Sequence, residues 1–254
     1  MVTGSPAPFY IIGAVIAQLV EQPPCKRQVV GSSPTHGSIF YLYGIIKVML
    51  TIILSSLLIV IAGCLLHFTY DWSNKNKFVA VFSAVNESVW EHIKIALVPT
   101  FIFCFFSPLF YDASSKGNFI VASTMCVLAI ILVIPTLFYI VSALTRRHSI
   151  AAGIIEFCIA ILLSQIVFAI AIQGVRSGGC NSYGLCTEFY YSVYSDSFVL
   201  VSGIIFVLTI IATLVFTYFP PKNFLFRDPR NGKYGLAAAN KHHTHKRKTV
   251  SRKK

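Results

Sequence analysis

The sequence predicts an all-α protein, a multi-pass transmembrane helical bundle of about five spans. Three observations predict it. The 254-residue chain is 56% hydrophobic and only 12% charged, about half the roughly 25% charged share of a soluble domain. Its mean hydropathy is +0.72. The apolar residues also come in blocks: residues 119–144 and 198–221 contain no charged side chain. A run of about 20 apolar residues crosses the hydrocarbon layer as a helix. So little charge cannot cover a water-facing surface, which excludes a soluble globular domain.

The spans are read in order as residues 49–68, 93–110, 119–144, 150–172 and 198–219. Pro99 and Pro108 interrupt the second and Pro135 the third, which a bundle tolerates because neighbouring helices satisfy the freed backbone groups. Cys64, Cys104, Cys126 and Cys158 fall inside apolar segments and read as small core hydrophobes.

Residues 1–48 differ in character. They lack helical periodicity and contain Pro23-Pro24. Ala17-Gln18-Leu19-Val20-Glu21 resembles the D-arm of a transfer RNA gene read in frame, and Gly31-Ser32-Ser33-Pro34-Thr35 resembles its T-arm, fourteen codons later. The expectation is a spurious extension, with translation starting near Met49, and such segments stay outside fold reasoning. The alternative is an N-terminal helix over residues 9–20. Residues 49–236 then form the transmembrane domain and residues 237–254 a basic, disordered cytoplasmic tail.

Charge placement orients the chain. From Lys222 to Lys254 there are eleven Lys or Arg against one acid, Asp228, which accounts for most of the net charge of +12. Lys75, Lys77, Arg146, Arg147 and this tail fall on one side, and only Lys116 and Arg176 on the other. The positive side faces the cytoplasm, so a cell-membrane protein is expected with its N-terminus outside and C-terminus inside. The tail suits anionic lipid, while any RNA binding would need only the same nonspecific electrostatics, so no specific nucleic-acid partner is expected. His242, His243 and His245 within it suit weak metal binding or, more simply, a solvated tail. On the outer side, Cys180 and Cys186 flank a short loop before the aromatic run Phe189-Tyr190-Tyr191. An oxidising exterior permits a disulfide between them.

The informative residues are those a membrane protein should avoid. His67 and Asp71, four apart, share a face if the first helix continues that far. Glu87, Glu91, His92 and Lys94 lead into the second helix, where Ser88 and Glu91 have capping-box spacing. Glu156 lies about two turns inside the fourth span, where a carboxylate must be paired, protonated or hydrated. Gln165, deeper in that span, reads as interhelical hydrogen-bonding glue. Asn86-Glu87-Ser88 matches a glycosylation sequon on the side where modification is not expected.

His67, Asp71, Glu87, Glu91, His92 and Glu156 therefore converge near one cytoplasmic mouth. Two readings lead: a salt-bridged structural knot with Lys94, Arg146 and Arg147, or a site for a divalent metal held by His67, Asp71 and His92. A proton relay would use the same groups.

The segments His67-Phe68-Thr69-Tyr70-Asp71-Trp72-Ser73 and Phe82-Ser83-Ala84-Val85-Asn86-Glu87-Ser88-Val89-Trp90-Glu91-His92-Ile93-Lys94 resemble an uncharacterised bacterial membrane-protein family, domain of unknown function 6512. Tyr218-Phe219-Pro220-Pro221, Leu225-Phe226-Arg227-Asp228-Pro229 and Tyr234-Gly235 resemble its closing motif. The resemblance covers about residues 49–236 and departs at Ala84, where the family has proline. It implies the membrane architecture and carries no activity. The expected function is an integral membrane protein handling a small solute or partner at its polar mouth. The alternative is a metal-dependent hydrolase with Glu87 or Glu91 as general base. Neither an internal repeat nor an HExxH-type spacing favours either reading.

Overall fold

The computed structural model describes residues 35–109, 111, 116–145, 150–173, 175–180 and 186–239. Chain contacts divide the molecule into Met1–Ile45 and Ile46–Lys254. Only the opening of the first helix represents the former among the described residues, so the readings for residues 1–34 and for the tail beyond residue 239 lie outside them.

The described residues contain five long helices, α1 (Thr35–Trp72), α2 (Val89–Phe106), α3 (Lys116–Thr145), α4 (Ile150–Ala171) and α5 (Asp196–Tyr218), followed by the short α6 (Gly235–Ala239); all of them from Ile46 onward belong to the second unit. All five are long and apolar enough to span a membrane, and the chain is a multi-pass helical membrane protein. The first two helices differ most from the sequence reading. The first helix extends beyond residues 49–68 at both ends, running from Thr35 to Trp72. The second helix starts at Val89, directly after the extended Ser88, and stops at Phe106 before Pro108, which falls in a 3-10 turn, Ser107–Leu109.

The segment expected as an outer loop contains two antiparallel strands, β1 (Val175–Cys180) and β2 (Cys186–Tyr191). Its register runs from Val175↔Tyr191 to Cys180↔Cys186. Cys180 and Cys186 are thus backbone partners at the end of the ladder, and the expected disulfide between their side chains lies outside what is described.

Helix α3 is central, packing against α2, α4 and α5. One core, nearer the start of α2, joins Trp90, Ile93, Leu97, Val127, Ile130, Phe157, Ile161 and Phe226. A second, towards the strand-pair end, joins Cys104, Ala122, Cys126, Phe168 and Ile172. Large apolar side chains such as Leu58, Phe105, Leu132, Leu144 and Leu200 point outward and are exposed. That is the pattern of helices solvated by lipid tails.

Inside, small and polar side chains bring helices together. Ser55 on α1 donates to Gln165 Oε1 on α4 at 3.0 Å, and Gln165 Nε2 approaches Cys126 Sγ on α3 at 3.6 Å. Gln165 has no exposed surface, so its amide joins three helices where hydrocarbon offers no partner. Pro99 lacks the N–H that would bond the Ile95 carbonyl four residues earlier. That carbonyl faces Gly63 of α1, where a Cβ would come within 3.2 Å of Ile95 O and 2.6 Å of the Phe157 ring. Glycine lets α1 approach at the point that proline opens.

Candidate metal centre

The start of α2 is built around a buried ion pair. Glu91 Oε2 lies 2.6 Å from Lys94 Nζ, and both side chains are at most 2% exposed. The same oxygen accepts the Val85 N–H at 2.9 Å, and Lys94 donates to the Ala80 carbonyl at 2.8 Å. This geometry replaces the expected capping box. Ser88 is extended (φ −73°, ψ 157°) and occupies the N-cap, but its side chain makes no capping bond. Glu91 turns to Val85 and Lys94 instead, because a lysine one turn along supplies a stronger, charge-assisted partner. Held in this way, Glu91 anchors the preceding loop.

Ser83 fastens that loop to α1. Its hydroxyl donates to the Leu66 carbonyl and accepts the Tyr70 N–H, the latter at 2.8 Å. Leu66 and Tyr70 stand four apart on α1, so the serine bridges one step of the helical ladder beside His67. Asn86 accepts the Ser88 N–H at 2.8 Å through its side chain, and its amide donates to the Gly235 carbonyl at 3.2 Å. These bonds bury Asn86 and leave Glu87 between them, pointing at α1.

His67, Glu87 and His92 consequently meet. One ligand atom from each lies within 4.8 Å of the others. His67 Nε2 is 3.9 Å from Glu87 Oε2, with side chains 29% and 26% exposed. The two imidazoles meet edge to face, their centroids 5.5 Å apart. His92 Nδ1 lies 3.0 Å from the Ser88 carbonyl. A carbonyl only accepts, so Nδ1 carries the proton and Nε2 of the neutral ring presents its lone pair. A backbone carbonyl orienting the far nitrogen is the usual outer partner of a metal-binding histidine. Ligand bonds of about 2.1 Å would draw the three atoms to roughly 3.4 Å apart, from 3.9 Å for the His67–Glu87 pair and at most 4.8 Å for the others.

The sequence reading and this arrangement share His67 and His92 and differ at the third position. Asp71 is exposed and stands outside the trio. It lies one helical turn, about 6 Å, beyond His67. Glu87 reaches the site from the loop instead. Glu156 is half-buried on α4 and is not part of the trio. Arg146 and Arg147 lie outside the described residues.

One participant escaped the sequence reading. Arg230 Nη1 sits 3.2 Å from Glu87 Oε1. A tight turn presents it: Asp228 accepts the Arg230 N–H at 2.8 Å and the Asn231 amide at 3.1 Å, and Gly232 closes the turn at φ +71°. Phe226, just upstream, stacks on Trp90 at 4.8 Å, and Phe216 of α5 packs edge-on against both. The motif segment from Leu225 to Gly235 therefore closes over the mouth, and its presence there was the only sequence signal for Arg230.

Residues 43–177 match the family of unknown function DUF6512. The match begins upstream of Met49 and ends before the closing motif, a narrower and earlier range than residues 49–236. Comparison with curated proteins and with solved structures returns no match.

Proposed function

The chain belongs to the family of unknown function DUF6512, and from that premise we propose that it handles a divalent ion of the zinc or manganese class at the mouth of its bundle. The observation carrying the reading is the convergence of His67, Glu87 and His92, with the His92 tautomer set by Ser88. Two imidazoles and one carboxylate suit borderline divalent metals. The mouth is assigned to the cytoplasmic side of a cell membrane, with the N-terminus outside, because Lys75, Lys77, Arg146, Arg147 and the basic tail belong to that side. Anionic lipid is the partner assigned to the tail.

A second reading is a membrane-embedded hydrolase. It is favoured by the number of protein ligands, since three leave a further position open for substrate or water. An ion there would polarise a carbonyl or phosphoryl oxygen. Glu87 would then be a ligand, and Glu91, locked against Lys94, would hold the loop.

The test is metal content. The full chain is purified in detergent, supplied with zinc or manganese and washed, beside a His67→Ala/His92→Ala variant. About one ion per chain, lost in the variant, is expected. An empty wild-type protein would overturn the reading. Turnover without a gradient then separates a hydrolase from an ion-handling protein, which would show gradient-driven movement.

A further inference from the structure

The chemistry beside the trio specifies what the loaded site would take, an inference that rests on the metal reading above. Glu87 is shared: Oε2 faces His67, and Oε1 faces the Arg230 guanidinium. Arg230 combines a fixed backbone with an outward side chain. Its N–H is held by Asp228, which is 3% exposed, while its own side chain is 62% exposed. A guanidinium has five N–H donors in a planar fork, and its contact with Glu87 is made through Nη1. The rest of the fork faces water at the rim of the mouth.

The charges at the site do not balance once an ion is present. A divalent cation with one carboxylate ligand carries about +1, and Arg230 raises this to about +2. Of the neighbouring acids, Glu91 is neutralised by Lys94; Asp228 keeps its negative charge while its oxygens accept from the Arg230 N–H and the Asn231 amide, so a net charge of about +1 remains. Asp71 lies a turn away in water. A dianion with oxygens about 2.5 Å apart would reach both the open metal position and the fork, since arginine recognises such groups through paired N–H donors.

We propose that the metal-loaded mouth binds an oxyanion of the phosphate class, one oxygen on the ion at His67, Glu87 and His92 and another on the Arg230 guanidinium. The phosphate is carried either by a free solute or by a lipid headgroup.

Manganese serves as both ligand and probe. The full chain in nanodiscs is loaded with manganese, retention is read by electron paramagnetic resonance, and phosphorus relaxation is measured for inorganic phosphate. The same measurement follows in nanodiscs containing phosphatidic acid or phosphatidylcholine alone. Enhanced relaxation of inorganic phosphate identifies a free solute; enhancement confined to phosphatidic acid identifies a headgroup. In Arg230→Gln, manganese is retained and phosphate affinity falls tenfold or more, with Arg230→Lys restoring part of it. Retained manganese with no phosphorus effect, or an Arg230→Gln protein that binds phosphate normally, overturns the proposal while leaving the metal reading standing. Failure to retain manganese overturns both, and a folded helical spectrum for each variant excludes collapse as the cause.

Discussion

Lys94 heads the fully buried side chains by volume, a place lysine occupies only when paired. Its partner Glu91 and the Ala80 carbonyl take up its donors. Removing one member of such a pair strands the other, at a cost of about 3–5 kcal/mol. Lys94→Met should therefore destabilise by that amount in detergent unfolding, and adding Glu91→Gln should recover most of the loss, because the amide still accepts Val85 N–H.

Tyr111, in the connection between α2 and α3, gives a pH signature. Burial pushes its hydroxyl up to about 12, with Cys126 adding to the shift, and its ring packs on Phe168 at 5.3 Å. An unfolded tyrosine ionises near pH 10, so the stability it confers is complete below about pH 10 and is lost as pH rises towards 12. Absorbance titration at 295 nm should show a late component that shrinks by one tyrosine in Tyr111→Phe. At this scale the sequence marked His67 and His92 as anomalous for a membrane protein, yet chose Asp71 over Glu87. Helical spacing predicts which residues share a face; it does not predict where a loop folded back by Ser83 and Asn86 delivers a carboxylate.

At the scale of elements, five helices were legible because each carries a continuous apolar run, and runs of that length have little alternative in a bilayer. Their contacts were less legible. Gly63 and Pro99 are 36 positions apart, and nothing in either segment alone says that one fits the other. Gly63→Ala would place a methyl group against the Phe157 ring and Ile95 O. A loss of about 1–3 kcal/mol is expected, measured by thermal unfolding, with Phe157→Leu in the same chain relieving part of it. The strand pair was hidden for a related reason: a short pair with glycines at 178 and 179 has no strong periodicity, and its register emerges only when both arms are present.

At the scale of the molecule, the alternation of five spans puts the mouth and the strand pair on opposite membrane faces. The proposed orientation predicts that Ser197→Cys, at an exposed position beside the start of α5, reacts with an impermeant maleimide in intact cells. Lys77→Cys, exposed near the mouth, should react only after permeabilisation. The reverse pattern would invert the protein and place the mouth outside.

The mouth is finished by residues far along the chain. His67 and His92 belong to the first two spans, whereas Phe226, Arg230 and Gly235 follow the fifth, and Lys75 Nζ reaches the Ala239 carbonyl at 2.7 Å. During synthesis the early half of the site must therefore wait, uncovered, until the segment after the fifth span has left the ribosome. A chain released before Arg230 would carry five spans and an open, unfinished mouth.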